Sequence, residues 1–263
     1  ASAKFAAEIA KLTPNEQALM LVALAHRGDP PARAEIFAQL AAGDTAVRLA
    51  AIDAAGRIGE AANVPALTKR LVEAQTPEEQ SALVEALTGL RGGERTDNAI
   101  AAEMYTSSAQ NRALFLTILG NRNSGLAVPI LLNEMANPEP ATSKVAFRAL
   151  GRLATANELG VMLDKLASAP SPEFRRDAEA AVAQVLSKIE DTGRRSDILC
   201  DRIARTTDVE ARCSLIRLLS VAGDAKALAT LISARSDKDA RIADTVVRTL
   251  AEWRDAAAWD GLL

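Results

Sequence analysis

One stretch, Asp44–Leu71, limits the fold more than any other; it reads DTAVRLAAIDAAGRIGEAANVPALTKRL. Val47, Ala50, Ala51, Ala54, Ala55 and Ile58 recur at helical spacing, so they share one face of a helix. Asp44 and Thr45 precede that run, where a short side-chain oxygen caps free amides. Gly59 is placed to close the helix, as glycine does after a C-terminus. Val64-Pro65 then opens a second helix, because a first-turn proline gives up only an N–H that would have no partner there. Val64, Leu67 and Leu71 form its apolar stripe. Both helices are short, and neither can bury its stripe alone. The stretch predicts a helical hairpin that is stable only when stacked on others of its kind.

The hairpin returns along the chain at intervals of about 31–32 residues, a period typical of helical repeats. Units start near Thr13, Asp44, Thr76, Ser108, Glu139, Ser171, Asp208 and Asp239. Leu21, Leu24 and Gly28 take the places of Ile52, Ala55 and Gly59, with Ile36 and Leu40 on the following helix. Further on, Leu83, Ala86 and Leu87 repeat the first-helix face, then Phe115, Ile118 and Leu119. Val128-Pro129 and Leu131 match Val64-Pro65 and Leu67. Ala146, Ala149 and Leu150, then Ala178, Val182 and Val185, then Leu215 and Leu219, then Ile242, Val246 and Leu250 continue the series.

The pattern D-x-x-V-R-x-A-A-x-x-A-A-G-x-I-G, followed by V-P-A-L, at Asp44–Leu67 resembles a HEAT repeat of the bacterial kind, over nearly the whole chain. Arg48, Arg112, Arg175 and Arg212 match the family's recurrent arginine, whereas Gln80 and Ser143 depart from it. The resemblance implies an all-α fold: a right-handed α-α superhelix of about eight hairpins, one solenoid domain over residues 1–263. It also implies a non-enzymatic protein-interaction scaffold, with no cofactor and a protein or peptide as partner. Two further readings stay open. One is an accessory or lyase-type subunit holding a small ligand or chromophore in the concave groove; the other, less favoured, is nucleic-acid binding. Bacterial proteins of this kind are often exported, which favours an exported or periplasmic chain over a cytoplasmic one.

Composition narrows the choice. Aromatic residues make up 3%, so the core rests on close helix approach rather than on rings. A net charge of −3 lacks the basic footprint expected of a nucleic-acid binder. The longest uncharged runs, Gln17–Ala25 and Asn123–Asn133, are too short to span a bilayer. The chain opens ASAKF without a methionine and ends on two leucines with no evident partner. The opening reads as a trimmed or processed start, and the last segment, with Trp253 and Trp259, either caps the stack or is cut within a unit; the second is favoured and makes the chain a piece of a longer bacterial protein.

Ala1–Leu12 is expected to form a helix that caps the first hairpin. Asn137-Pro138-Glu139-Pro140 and Ala169-Pro170-Ser171-Pro172 read as separators between units, because a residue before proline is pushed out of helical geometry. The spacing lengthens between the sixth and seventh units, which predicts a longer loop at Glu190–Arg195. Cys200 and Cys213 fall level with each other across a hairpin turn; free thiols are favoured over a disulfide, because level cysteines need not face one another.

Catalytic chemistry has little to work with. His26 is the sole histidine, at a helix end and without a nucleophile motif, so no triad or histidine-based metal site is expected. The family's metal hydroxylases need paired His-Glu motifs, which one histidine cannot supply. Asp44, Asp208 and Asp239 recur at unit starts and read as helix caps. The recurrent arginine is expected to bond an aspartate or carbonyl of a neighbouring unit. The resemblance puts the second helices on the concave side. Their outward positions give the candidate partner surface: Lys69, Arg70, Asn98, Tyr105, Asn133, Glu134, Asp164, Lys165, Asp201 and Arg202. Its mixed charge suits a protein or peptide better than a nucleic-acid backbone.

Overall fold

A computed structural model describes residues 2–28 and 30–253. Among them every regular element is helical, as the repeat pattern predicts. The chain divides into two compact units, residues 1–129 and 130–263.

In the first unit, α1 (Ser2–Glu8) precedes α2 (Pro14–Arg27), the short α3 (Arg33–Ala38), α4 (Thr45–Ile58), α5 (Val64–Glu73), α6 (Pro77–Gly89), α7 (Glu94–Thr106) and α8 (Ala109–Asn121). The first helices α2, α4, α6 and α8 pack side by side in one layer, and the second helices α5 and α7 pack in another. The division at residue 129 falls within α9 (Ala127–Glu134). The second unit continues with α10 (Pro140–Leu153), α11 (Leu159–Ala167), α12 (Pro172–Ser187), α13 (Thr192–Arg205), α14 (Val209–Ala222), α15 (Ala225–Ala234) and α16 (Ala240–Ala251). There α10, α12, α14 and α16 form the first-helix layer, and α13 packs against α15.

The inferred unit starts are the residues that cap the first helices. Thr13, Asp44, Thr76, Ser108, Glu139, Ser171, Asp208 and Asp239 each hold the N-cap position of α2, α4, α6, α8, α10, α12, α14 or α16. Asp44 Oδ1 accepts from the amides of Ala46 and Val47 at 2.9 and 3.1 Å, and Asp208 Oδ1 accepts from Ala211 at 2.8 Å. These bonds satisfy amides that the helix itself leaves free. Between the layers lie the predicted stripes: Val47, Ala51, Ile52, Ala54, Ala55, Val64 and Leu67 are fully buried.

Gly59 closes α4 as expected, its amide donating to the Ala55 carbonyl at 2.8 Å, though with φ −70° rather than in the left-handed conformation. It is needed for space, because a Cβ there would sit 2.5 Å from the Ala55 carbonyl oxygen and 2.6 Å from Leu90 Cδ2. The left-handed closure occurs instead at Gly28 (φ 67°) and Gly223 (φ 70°), which end α2 and α14. One expectation needs correction, at Glu190–Arg195. No long loop forms there, because Thr192–Arg195 already belong to α13. The added residues lengthen helices instead: α12 has 16 residues and α13 has 14, against 14 and 9 in α10 and α11. Continuing a helix satisfies the backbone of inserted residues more completely than a loop does.

Cys200 and Cys213 are free thiols. Each turns toward the following unit rather than its partner: Cys200 Sγ lies 3.2 Å from Thr230 Oγ1, and Cys213 Sγ lies 3.6 Å from the Arg241 carbonyl oxygen. Trp253 is half-buried just after α16, with its amide donating to the Leu250 carbonyl at 3.1 Å. Ala1, Asp29, Trp259 and the terminal leucines lie outside the described residues.

Candidate functional site

The recurrent arginines hold neighbouring units together. Arg48 donates to the Ala42 and Gly43 carbonyls at 2.9 and 2.8 Å, and its Nε lies 3.4 Å from Glu79 in the next unit. Arg175 donates to the Leu166 carbonyl at 3.2 Å and lies 3.9 Å from Asp208, while Arg212 reaches Asp237 at 3.0 Å. Arg48 and Arg175 thus each tie a preceding backbone segment to a carboxylate one unit further on, and Arg212 reaches a carboxylate just ahead of the next unit. Where Ser143 replaces the arginine, its hydroxyl still donates to the Met135 carbonyl at 2.8 Å, so the backward half of the tie survives.

A second set of ties gave no signal in the sequence. Arg122, next to the end of α8, donates to the Leu87, Thr88 and Leu90 carbonyls at the end of α6, at 3.1, 2.8 and 2.8 Å. It also pairs with Asp97 at 2.5 Å, both side chains being nearly buried. Lys188, just past α12, reaches the Arg152 and Ala154 carbonyls in the same way, and burial lowers its pKa. A cation at one helix end thereby closes the free carbonyls and favours the dipole of the helix beside it.

With the structural polar groups accounted for, the candidate surface sorts into engaged and open residues. Arg70 is engaged: half-buried, it donates to Glu79 at 2.7 Å, on the carboxylate that Arg48 also meets. Glu134 is buried and accepts from Asn137 at 2.6 Å, so it does not belong to an open face. Asp164 is exposed but pairs with half-buried Arg202 at 2.6 Å, a bond between α11 and α13. Asp201 is exposed, with Arg205 at 3.9 Å. Lys69, Asn98, Tyr105 and Asn133 are exposed and Lys165 is half-buried, and these five have no polar partner among the described residues.

In the first unit α5 and α7 each leave one large apolar or aromatic side chain exposed. Val72 and Tyr105 are 52% and 59% exposed on these adjacent helices. Beside Val72 lies a groove of about 430 Å³ lined by Lys69, Thr68, Glu103 and Asn111 among others. Thr68 donates to Glu103 at 3.0 Å within it, joining α5 to α7. Val72 was not among the residues marked from the sequence, although its position one helical turn from Lys69 was legible there.

His26 is exposed at the end of α2. It lines a groove of about 680 Å³ with Arg27, Asp53, Arg57, Glu85 and Arg91, in which Asp53 is already paired with Arg57 at 2.9 Å. The described residues lining this groove include no hydroxyl or thiol that a histidine could activate. No group of three or more His, Cys, Asp or Glu side chains is placed to hold a metal among the described residues. No described helix is long and apolar enough to cross a membrane.

A comparison with curated proteins finds no match. Among solved structures, the crystal structure of an engineered protein is similar over 99% of this chain and 97% of its own, at 17% identity and a TM-score of 0.31. A likeness that slight carries no argument. The family model described as HEAT repeats matches residues 3–88, which span α2 to α6. Residues 3–88 are thus similar to HEAT repeats, and hairpins with the same caps and an inter-unit arginine recur beyond that match.

Proposed function

We propose that the chain is an interaction scaffold that binds a protein or peptide on the outer face of its second helices, around Lys69, Val72, Asn98 and Tyr105. Proteins built from HEAT repeats typically serve as such scaffolds. The observation that carries the reading is the pair Val72 and Tyr105. Both are more than half exposed on neighbouring helices, although each could have been polar at no cost to the core. Exposed tyrosine and aliphatic side chains among polar groups are a common make-up of binding surfaces.

The test is retention of partners from the native source on the immobilised chain, compared with the double variant Val72→Asp, Tyr105→Ala. A partner held by the original and weakened at least tenfold in the variant, with unchanged circular dichroism, supports the proposal. Equal retention by both, or none by either, overturns it.

The groove beside Val72 supports a second reading, in which a small ligand is held between α5 and α7. Its volume lies within the range of small-molecule sites, and Thr68, Glu103 and Asn111 supply polar groups. A thermal shift with a ligand from the native source, abolished by Glu103→Ala, would favour this reading over the scaffold.

A further inference from the structure

The residues that separate units in the second half of the chain also build a cavity. Pro138 and Pro140 on one interhelical segment, and Pro170 on the next, line a space of about 530 Å³ together with Phe174. One side of the Phe174 ring is fixed by an edge-on contact with Phe147, with centroids 4.9 Å apart and planes at 88°. Proline walls have a fixed φ and lose little freedom when a ligand orders them. The space is therefore a preformed apolar trough between rigid loops.

Its charges are unbalanced. Glu173 and Asp177 both line it, one helical turn apart on α12, a spacing at which like charges repel. Glu173 also meets exposed Arg176 at 3.4 Å. Half-buried Asp177 has no partner among the described residues, and it lies beyond the first turn, where the helix dipole would favour it. Lys165 lines the same space without pairing with either carboxylate.

We infer that this trough binds an extended, proline-containing peptide segment carrying an arginine or lysine, with the proline rings on Phe174 and the cation on Asp177. Three features select that occupant. The walls offer rings to stack on, and the described residues have no strand edge that could add a β-strand peptide. A polyproline segment makes no internal hydrogen bonds and is already extended, so it suits recognition by ring packing. The charge complementarity comes from Asp177, which has no partner among the described residues. The inference stands apart from the second-helix patch at Val72 and Tyr105, and each can fail without the other.

The test is fluorescence anisotropy of the full chain with a fluorescein-labelled peptide of Pro-Pro-Arg repeats. Arms of equal length carry Ala-Ala-Arg or Pro-Pro-Glu repeats, and free phenethylamine serves as a competitor. Saturable binding to the first peptide is expected, at least tenfold weaker for both other arms. Asp177→Asn should weaken it by a similar factor without moving the melting temperature. Phe174→Ala should do the same; if it unfolds the chain, Pro170→Gly replaces it. Equal binding of the alanine–arginine peptide would reduce the effect to general charge attraction and overturn the inference. So would binding indifferent to Asp177→Asn, no saturable binding at all, or tighter binding of phenethylamine than of the peptide, which would make the trough an amine site.

Discussion

At the scale of single residues, the close approach of first helices depends on glycines that are not needed for turns. Gly56 lies inside α4, and a Cβ there would be 2.7 Å from the Ala86 Cα and 2.9 Å from its Cβ on α6. Both neighbours belong to a helix that cannot yield locally, so Gly56→Ala should cost about 1–3 kcal/mol, despite the better helix propensity of alanine. Gly160, near the start of α11, meets nothing within 4 Å. There the same substitution should stabilise by about 0.5 kcal/mol or more, since only the propensity gain remains. Urea unfolding of the two variants checks the pair, and opposite signs are expected. The Asp97–Arg122 pair is a second residue-scale test. Arg122→Met leaves a nearly buried carboxylate unpaired and should cost about 3–5 kcal/mol. Adding Asp97→Leu should recover only part of that, because the α6 carbonyls that Arg122 closes would still lack their donor.

At the scale of helices, caps link stability to pH. Glu16 is held below its ordinary pKa by the Thr13 hydroxyl and amide at the start of α2. Glu158 is held down by the Thr155 amide, and Asp237 by the Asp239 amide with Arg212 beside it. Asp239 is held down by the Arg241 side chain and amide. A carboxylate depressed in the folded state contributes stability that is fully present above its unfolded pKa and is lost as pH falls through the folded one. Stability should therefore be level near neutrality and decline below about pH 4. The urea midpoint followed against pH measures this. Glu16→Gln should flatten part of the decline while leaving the shape at neutral pH unchanged. Cap removal offers a comparison at neutral pH: Asp44→Ala, which frees the Ala46 and Val47 amides, should cost about 1 kcal/mol.

At the scale of the molecule, layered hairpins share burial mainly with immediate neighbours, so damage should stay local. Leu83 is fully buried in α6, which packs on α4, α5 and α8. Leu83→Ala should cost about 2–5 kcal/mol and raise amide exchange most in those four helices, with less effect in α2. An equal rise throughout residues 1–129 would mean that the unit behaves as one cooperative core. The sequence alone determined the helical class, the caps at Asp44, Asp208 and Asp239 and the buried stripes, because these rest on spacing within one or two turns. It also anticipated the arginine ties, since Arg48, Arg175 and Arg212 recur with the period. What it could not supply depends on which side chains meet across units: Arg122 reaching the end of α6, Glu134 turning inward, Cys200 and Cys213 facing away from each other, and two proline separators enclosing one trough. The contacts of Arg122 and Cys200 join residues 25–35 apart along the chain and carry no local signature, so only the packing of one hairpin on the next decided them.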